Sequence, residues 1–300
     1  MKERDKTQNR WSPIELINWT AEYLGKKGFE NCRLTAERLL AHVLKTDRVQ
    51  LYLDFDKPLS ADELSEFKIL LKRRLSREPL QYILEQTEFF SLPMKISRGA
   101  LIPRPETEIL VEQVLKLVTD VWADKETVDI LDVGTGSGVI AVSVALNLHV
   151  AHAVAVDISK EALDVARQNV LFHDVADRIE LREQDALVSW PERFHSAFDV
   201  LIVNPPYISR REYDDLPSDI RDFEPAVALL AGDDGLSFYR DFARFVPILL
   251  KPGAYAFFEV GRDMAESVMQ IHRGYPLSDF EIFPDLSGTE RVLKMRRSDS

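Results

Sequence analysis

Apolar positions near the start of the chain recur at the spacing of helices. Two of these helical segments begin with a capping pair, Ser12 with Glu15 and Ser60 with Glu63. In such a pair the serine and the glutamate each bond a backbone N–H of the other, which satisfies the start of a helix. No strand pattern interrupts the segment. We therefore predict a small helical bundle over residues 1–78.

The pattern changes between residues 79 and 104, where aromatic residues partly alternate with polar ones and prolines interrupt the run. Such a segment favours a short hairpin or an extended connector. The proline at position 105 then opens a helix that runs from Glu106 to about Val118, with acids in its first turn. The domain boundary is predicted between residues 78 and 100.

From residue 128 onward, strands alternate with helices. The predicted strands are Val128–Val133, Ala153–Val156, Arg178–Leu181, Asp199–Val203 and Tyr255–Val260, and the helices are Val139–Leu148, Lys160–Phe172 and Gly235–Leu250. Alternation of this kind predicts a mainly parallel sheet with helices on both faces. Residues 280–283 and 292–295 form a closing antiparallel pair. The fold class is α/β, with this domain spanning residues 105–300.

Three alternating glycines connect the first strand to its helix, in the run Asp132, Val133, Gly134, Thr135, Gly136, Ser137, Gly138. Glycine lets the backbone turn sharply and approach a ligand closely. The second strand ends at Asp157, whose carboxylate suits ribose hydroxyls. A dinucleotide loop needs another glycine where this chain has Val139. The spacing instead resembles the S-adenosylmethionine loop of class I methyltransferases, which are Rossmann-like.

That resemblance implies further cofactor contacts. An acid at the end of the third strand, here Asp185, would lie near the adenine, and Ala186 would line the pocket beside it. Asn204, which follows the fourth strand, completes the set. The cofactor-binding residues are therefore predicted to be Gly134, Thr135, Gly136, Ser137, Gly138, Asp157, Asp185, Ala186 and Asn204.

The fourth strand runs straight into Asn204, Pro205, Pro206 and Tyr207. Two prolines have no N–H to give to a central sheet, so the chain must leave the sheet at this point. By chain order this strand lies beside the first, next to the switch point where ligands bind in such sheets. We predict that these four residues form the substrate-binding loop.

The chemistry of this loop suits a planar NH₂ group, whose lone pair is delocalised and therefore a poor nucleophile. The Asn204 side-chain oxygen and the Pro205 carbonyl accept its two N–H bonds and aim the nitrogen at a methyl donor, while Tyr207 packs against the planar group. Orientation of this kind is worth roughly 7–11 kcal/mol. The loop indicates methylation of a glutamine amide or of an adenine or guanine amine.

Composition narrows the function classes. The 300 residues carry a formal net charge of −12, which weighs against a broad grip on nucleic acid. The single cysteine, Cys32, allows no intrachain disulfide and is expected to be inert. No apolar run is long enough for a membrane span, and Met1–Arg10 does not resemble a targeting segment, so we expect a cytoplasmic protein. His149 and His152 lack a third ligand, and no metal is expected.

The chain resembles the release factor glutamine methyltransferases, the PrmC/HemK family, from about residue 12 onward. The segments that carry the resemblance are Pro79–Ile83, Leu101–Glu108, Asp132–Gly138, Asn204–Ile208, Glu224–Pro225 and Gly232–Leu236. The resemblance implies methylation of the glutamine in the Gly-Gly-Gln loop of bacterial class I release factors, which gives N5-methylglutamine. It also implies that the helical bundle engages the release factor. We expect a monomer that does not bind nucleic acid directly.

The roles of two residues and two rival functions stay open at this point. Arg104 and Glu106 either contact substrate or cofactor, or form an ion pair and a helix-start charge. Leu84 and Glu85 stand where the family often has a glycine, which affects the connector and no catalytic position. The main rival enzyme is an amine methyltransferase of nucleic acid, which can share the proline loop. A non-catalytic binding module is the other rival, and it would fail to bind S-adenosylmethionine.

Overall fold

The computed structural model describes residues 11–299. The first ten residues, in which no targeting segment is expected, and the last residue lie outside the described residues. The chain divides into two compact units, Met1–Leu84 and Glu85–Ser300. The segment predicted to connect two domains, residues 79–104, is divided between these units.

The first unit is helical over the residues that are described. Its helices are α1 (Pro13–Lys26), α2 (Cys32–Leu44), α3 (Arg48–Leu53), α4 (Ala61–Leu75) and α5 (Leu80–Leu84). Both predicted capping boxes are present, because Ser12 and Ser60 each exchange side-chain and backbone bonds with the glutamate three residues later. Apolar side chains from all five helices meet in one core, which includes Ile17, Leu24, Leu39, Leu40, Leu51, Phe67 and Ile83.

The second unit begins with the predicted hairpin, formed by β1 (Gln86–Phe89) and β2 (Leu92–Lys95). Its two turn residues, Phe90 and Ser91, have φ values of 53° and 59°. Positive φ at both positions matches the twist of the flanking strands. The helix predicted after Pro105 is α6, Thr107–Val121.

A seven-stranded sheet forms the centre of this unit. Its strands are β3 (Val128–Val133), β4 (Ala151–Asp157), β5 (Ile179–Glu183), β6 (Phe198–Val203), β7 (Leu250–Glu259), β8 (Leu277–Pro284) and β9 (Glu290–Arg297). The order is β5-β4-β3-β6-β7-β9-β8, and only β8 and β9 run antiparallel to their neighbours. The predicted α/β fold with a closing antiparallel pair is confirmed.

Helices cover both faces of this sheet. Alternate residues of β3 point to opposite sides, so Ile130 and Leu131 belong to different hydrophobic cores. One core contains residues of α6, α7 (Val139–Asn147) and α8 (Lys160–Phe172). The other contains aromatic residues between β6 and β7, such as Tyr239 and Phe242, and aliphatic residues that follow β7. The carboxyl ends of β3, β4 and β6 therefore meet at one edge between two helical layers.

The long helix predicted for residues 235–250 is wrong in detail. The segment forms α11 (Ser237–Phe242), a 3₁₀ turn (Ala243–Phe245) and α12 (Val246–Leu249). Pro247 explains the break, because proline lacks the N–H that the carbonyl four residues earlier would accept and its ring clashes with that carbonyl. The strand β7 also starts before Pro252, and the ladder with β6 shifts register there.

Four short helices have no counterpart in the predictions. They are α5, which lies in the predicted connector, α9 (Arg210–Asp214), α10 (Ser218–Arg221) and α13 (Ala265–His272). Across residues 11–299, no helix combines the length and apolar character needed to cross a membrane.

Candidate active site

A cavity of about 290 Å³ opens at the carboxyl ends of β3, β4 and β6. Open α/β sheets bind their ligands at this edge, where neighbouring strands connect to opposite faces. The walls come from the glycine turn, the end of β4, the loop after β5 and the proline loop after β6. Residues 99–103 and 225–230 add further walls. The cavity therefore joins the two predicted sites.

The glycine turn needs its three glycines. Gly134, Gly136 and Gly138 have φ values of 72°, 58° and 78°, a region that residues with a Cβ enter at a cost. A Cβ on Gly138 would also lie 3.0 Å from the Cβ of Ala166 on α8. Gly134, Thr135, Gly136 and Ser137 line the cavity, whereas Gly138 is occupied with helix packing and does not.

The buried carboxyl group of Asp132 stabilises this turn through a hydrogen bond. Asp132, near the end of β3, is fully buried, and its Oδ2 accepts a hydrogen bond of 2.7 Å from the Thr135 hydroxyl. Its Oδ1 has no hydrogen-bond partner among the described residues. Burial raises the pKa of Asp132 to about 7, and the nearby Asp157 carboxylate adds to the shift. The turn thus rests on a carboxyl group that titrates near neutral pH.

Asp157 is held in a fixed orientation at the end of β4. Its Oδ2 accepts a bond of 2.8 Å from the Gly136 N–H, and its Oδ1 accepts one of 2.9 Å from the Ser159 N–H. Burial raises its pKa, which these backbone bonds oppose. Each oxygen keeps a further lone pair, and the residue lines the cavity. The Asp157 carboxylate is therefore placed to accept hydrogen bonds from hydroxyl groups of a ligand.

Asp185 lies beyond the strand that it was predicted to end. The strand β5 stops at Glu183, and Asp185 belongs to the following turn, where its Oδ1 accepts a bond of 2.9 Å from the Leu187 N–H. Both Asp185 and Ala186 line the cavity.

Asn204 lies directly after β6 and lines the cavity. Its Nδ2 donates a hydrogen bond of 3.2 Å to Thr107 Oγ1. Pro206 lines the cavity as well. Pro205 is buried and Tyr207 turns away from the cavity walls, with its hydroxyl 3.4 Å from Glu259 Oε1. The structure therefore brings two of the four loop residues to the glycine turn and leaves the other two behind them.

Thr107 and Glu259 were missed by the sequence analysis. Thr107 is the first residue of α6, and its hydroxyl donates a bond of 2.6 Å to Glu259 Oε2, at the end of β7. Glu259 is buried, and burial raises its pKa to about 7. The available signal was an acid within an otherwise apolar strand, since a carboxylate in such a place needs a partner.

Asn169 is a second residue that the sequence analysis missed. It is fully buried on α8, and its Nδ2 donates to the Ser137 carbonyl at 2.8 Å and to the Lys95 carbonyl at 2.9 Å. Its Oδ1 accepts from the Lys95 N–H at 2.6 Å. One amide therefore joins the glycine turn to the hairpin strand β2. Its sequence signal was a polar residue on the buried face of a predicted helix.

Of the two interpretations for Arg104, the structure shows the ion pair. Arg104 forms an ion pair of 2.7 Å with the buried Glu224, whose second oxygen accepts from the Ile102 N–H at 3.2 Å. Glu106 precedes α6 and makes no capping bond through its side chain. Arg104 is thus a structural partner that holds residues 101–104 against the segment after α10.

No group of three or more His, Cys, Asp and Glu side chains is arranged to hold a metal ion within residues 11–299. The polar functions that line the cavity are backbone groups, the carboxylates of Asp157 and Asp185, the amides of Gln184 and Asn204, and several hydroxyls. These groups can bind a nucleoside and orient a planar amide.

The sequence profile of the PrmC N-terminal domain matches residues 15–84, and that of the methyltransferase small domain matches residues 107–220. The release factor glutamine methyltransferase of Chlorobaculum tepidum is 39% identical, over 94% of this chain and 96% of that protein. The chain belongs to the release factor glutamine methyltransferase family. The family member from Geobacter sulfurreducens is 38% identical, over 94% and 96% of the two chains.

A solved structure agrees with this family's fold. The catalytic domain of hMettl16, crystallised with a hairpin of the MAT2A 3′UTR, superposes with a TM-score of 0.54 at 16% identity. The match covers 77% of this chain and 82% of that chain. At this identity the likeness concerns the fold alone. Family membership and the small methyltransferase domain make this chain a methyltransferase.

Proposed function

We propose that this enzyme transfers a methyl group from S-adenosylmethionine to the side-chain amide of a glutamine. The glutamine lies in the Gly-Gly-Gln loop of class I release factors, and the products are N5-methylglutamine and S-adenosylhomocysteine. The observation that carries the proposal is the position of Asn204, which lines the same cavity as the glycine turn. Relatives named for release factor glutamine methylation support the choice of substrate.

The cavity residues fit this cofactor. It carries no pyrophosphate, and the turn of Gly134, Gly136 and Gly138 offers close approach without a phosphate-binding lysine. The fixed Asp157 carboxylate suits the two ribose hydroxyls, and the turn with Asp185 and Ala186 suits the base. When bound, the cofactor supplies an electrophilic methyl group on a positively charged sulfur.

The chain itself supplies orientation. Asn204 Oδ1 accepts one N–H of the substrate amide. Pro205 is buried between two residues that line the cavity, Asn204 and Pro206, and its carbonyl accepts the other N–H, so the nitrogen is aimed along one line. As the N–C bond forms, positive charge develops on the nitrogen, and both acceptor bonds strengthen in the transition state. The nitrogen then loses one proton to water. No residue has to remove a proton beforehand.

The test is transfer of labelled methyl groups to purified release factor or to nucleic acid. We expect label in the release factor and its loss when the loop glutamine of the substrate is replaced by alanine. Label that appears only in DNA or RNA would contradict the proposed substrate and favour the amine methyltransferase. Binding of the labelled cofactor without transfer to either would indicate a binding module.

A further inference from the structure

A chain of hydrogen bonds runs from a buried acid to the amide of Asn204. Glu259 Oε2 accepts from the Thr107 hydroxyl at 2.6 Å, and the same hydroxyl oxygen accepts from Asn204 Nδ2 at 3.2 Å. No described residue donates to Asn204 Oδ1. The three side chains come from the end of β7, the start of α6 and the end of β6.

An amide side chain can be rotated to exchange its oxygen and nitrogen, and only its partners decide between the two orientations. A hydroxyl has one proton. If Glu259 is charged, the Thr107 proton must point to the carboxylate, because a carboxylate only accepts. The hydroxyl can then only accept from Asn204, which turns the amide nitrogen toward Thr107 and its oxygen away.

We propose that Thr107 and Glu259 are positioning residues that set the orientation of the Asn204 amide, so that its oxygen is presented to the substrate. This inference rests on the proposed function for its effect on methyl transfer. The bond pattern itself does not depend on the identity of the substrate. Thr107 lines the cavity and Glu259 is buried behind it, and in this proposal both act through Asn204.

The arrangement makes the orientation sensitive to pH. Burial raises the pKa of Glu259 to about 7. Above this value the charged carboxylate forces the Thr107 proton toward itself. Below it, a protonated Glu259 can donate to Thr107, whose own proton then becomes available to the Asn204 oxygen. The opposite amide orientation, in which the nitrogen faces the substrate, is therefore favoured on the acid side.

Other groups face Glu259 from each element packed against it. Tyr207 donates to its second oxygen at 3.4 Å, and the Tyr239 hydroxyl donates to its backbone carbonyl at 2.8 Å. Arg291 on β9 favours the charged form, and Glu106 disfavours it. Both tyrosines stay neutral near pH 7, since burial raises their pKa values. Glu259 is thus the group in this cluster that changes charge between pH 6 and 8.

The decisive variants are Thr107→Val, which keeps the shape and removes the hydroxyl, and Thr107→Ser, which keeps the hydroxyl. We expect kcat of Thr107→Val to fall by about tenfold or more, with KM for the release factor and Kd for S-adenosylmethionine within about twofold of the wild-type values. Thr107→Ser should recover most of the rate. Thr119→Val is the matched control, because Thr119 lies on the same helix and bonds only the Leu115 carbonyl.

The pH profile separates positioning from packing. In the wild type, kcat should fall by about tenfold from pH 8 to pH 6, as for one carboxyl with a pKa of about 7. This acid limb should be retained in Thr107→Ser and absent from Thr107→Val and Glu259→Gln. A Thr107→Val enzyme with normal kcat, or a Thr107→Ser enzyme as slow as Thr107→Val, would overturn the proposal.

A readout without substrate keeps the two proposals distinguishable. The side-chain ¹⁵N amide signal of Asn204, assigned by its absence in Asn204→Ala, should shift between pH 6 and 8 in the wild type and in Thr107→Ser. It should be insensitive to pH in Thr107→Val. A wild-type signal that does not shift with pH contradicts the role of the hydrogen-bond chain from Glu259 to Asn204. Failure of the wild type to methylate release factor contradicts the proposed function alone.

Discussion

Two buried acids support the two halves of the cavity, and they are built differently. Asp132 and Glu259 both lie near the ends of sheet strands, both accept a threonine hydroxyl, and both have pKa values raised to about 7. Asp132 bonds a threonine three residues away, and one of its oxygens has no described partner. Glu259 bonds Thr107, 152 positions distant in the sequence, and its other oxygen accepts from Tyr207.

Asp132 is bonded within its own turn, whereas Glu259 is bonded to a residue far away in the sequence. The Asp132 pair belongs to one turn and stabilises the backbone that would surround the cofactor. The Glu259 pair ties three elements together and reaches the side chain that would hold the substrate. A turn can fix its own shape within a few residues, whereas the orientation of an amide needs partners from elsewhere. The two supports should therefore respond differently to substitution.

Asn204→Ala tests the substrate side and should have the largest effect. Loss of the acceptor should lower kcat by about 10²–10³-fold, the usual cost of removing one bond that strengthens in the transition state. Binding of S-adenosylmethionine, measured by calorimetry, should change little. Asp157→Ala is the comparison and should mainly weaken cofactor binding. Equal loss of binding and rate in Asn204→Ala would place Asn204 on the cofactor side.

Gly138→Ala tests the backbone of the glycine turn. It combines strain at a φ of 78° with a contact of 3.0 Å to Ala166, and we expect it to lower the free energy of unfolding by about 3 kcal/mol. Gly288→Ala is the control, because Gly288 has a φ of 85° with nothing near its added Cβ, and strain alone costs about 1 kcal/mol. Equal losses in urea unfolding would mean that packing against α8 is unimportant.

Arg104→Met extends the comparison to a third buried acid, Glu224, which has a charged partner at 2.7 Å. Without Arg104 the carboxylate is left buried and unpaired, so we expect a loss of about 2 kcal/mol at pH 8. The loss should be smaller at pH 5, where Glu224 can become neutral, since burial already raises its pKa. Urea unfolding of the wild type and Arg104→Met at both pH values measures this loss of stability. A loss that is the same at pH 5 and pH 8 would contradict an electrostatic role for Arg104.

Asp132→Asn should change the free energy of unfolding in the opposite direction, as a stabilisation. The folded pKa of about 7 lies above the unfolded value of about 3.9. The stability from neutral Asp132 is therefore complete below about pH 4 and is lost as pH rises through about 7. Asparagine stays neutral, so the variant should exceed the wild type by about 2–3 kcal/mol more at pH 8 than at pH 5. Urea unfolding of both proteins at both pH values measures this. If the difference in unfolding free energy between the variant and the wild type is the same at pH 5 and pH 8, burial does not raise the pKa of Asp132.

The elements that the sequence predicted well carry local signals. The strand Val128–Val133 and the helix Lys160–Phe172 have the predicted bounds, because apolar spacing and flanking turns define each of them within a few residues. The helix predicted across Pro247 was wrong because the prediction gave more weight to the apolar spacing than to the proline, which breaks a helix. The short helix α13 has its apolar residues buried but little length to reveal a period.

The same distinction holds at the site. The alternating glycines, Asp157 and Asn204 could be predicted because each follows a strand, and parallel strands end at one edge of a sheet. Tyr207 was predicted to pack against the planar group of the substrate, which stays a prediction, and the structure adds that its hydroxyl contacts Glu259. Nothing in the residue order shows which way a loop side chain rotates.

The sequence alone determined the fold class, the cavity edge and the family, since periodicity, glycine conformation and motif spacing are local properties. The tertiary structure decided how the site is held together. Thr107 meets Glu259, and Asn169 meets Lys95 and Ser137, only after helices pack on the sheet and bring distant residues within hydrogen-bond distance. Burial in that packed interior also raises the carboxyl pKa values, because a charge is disfavoured where water is excluded.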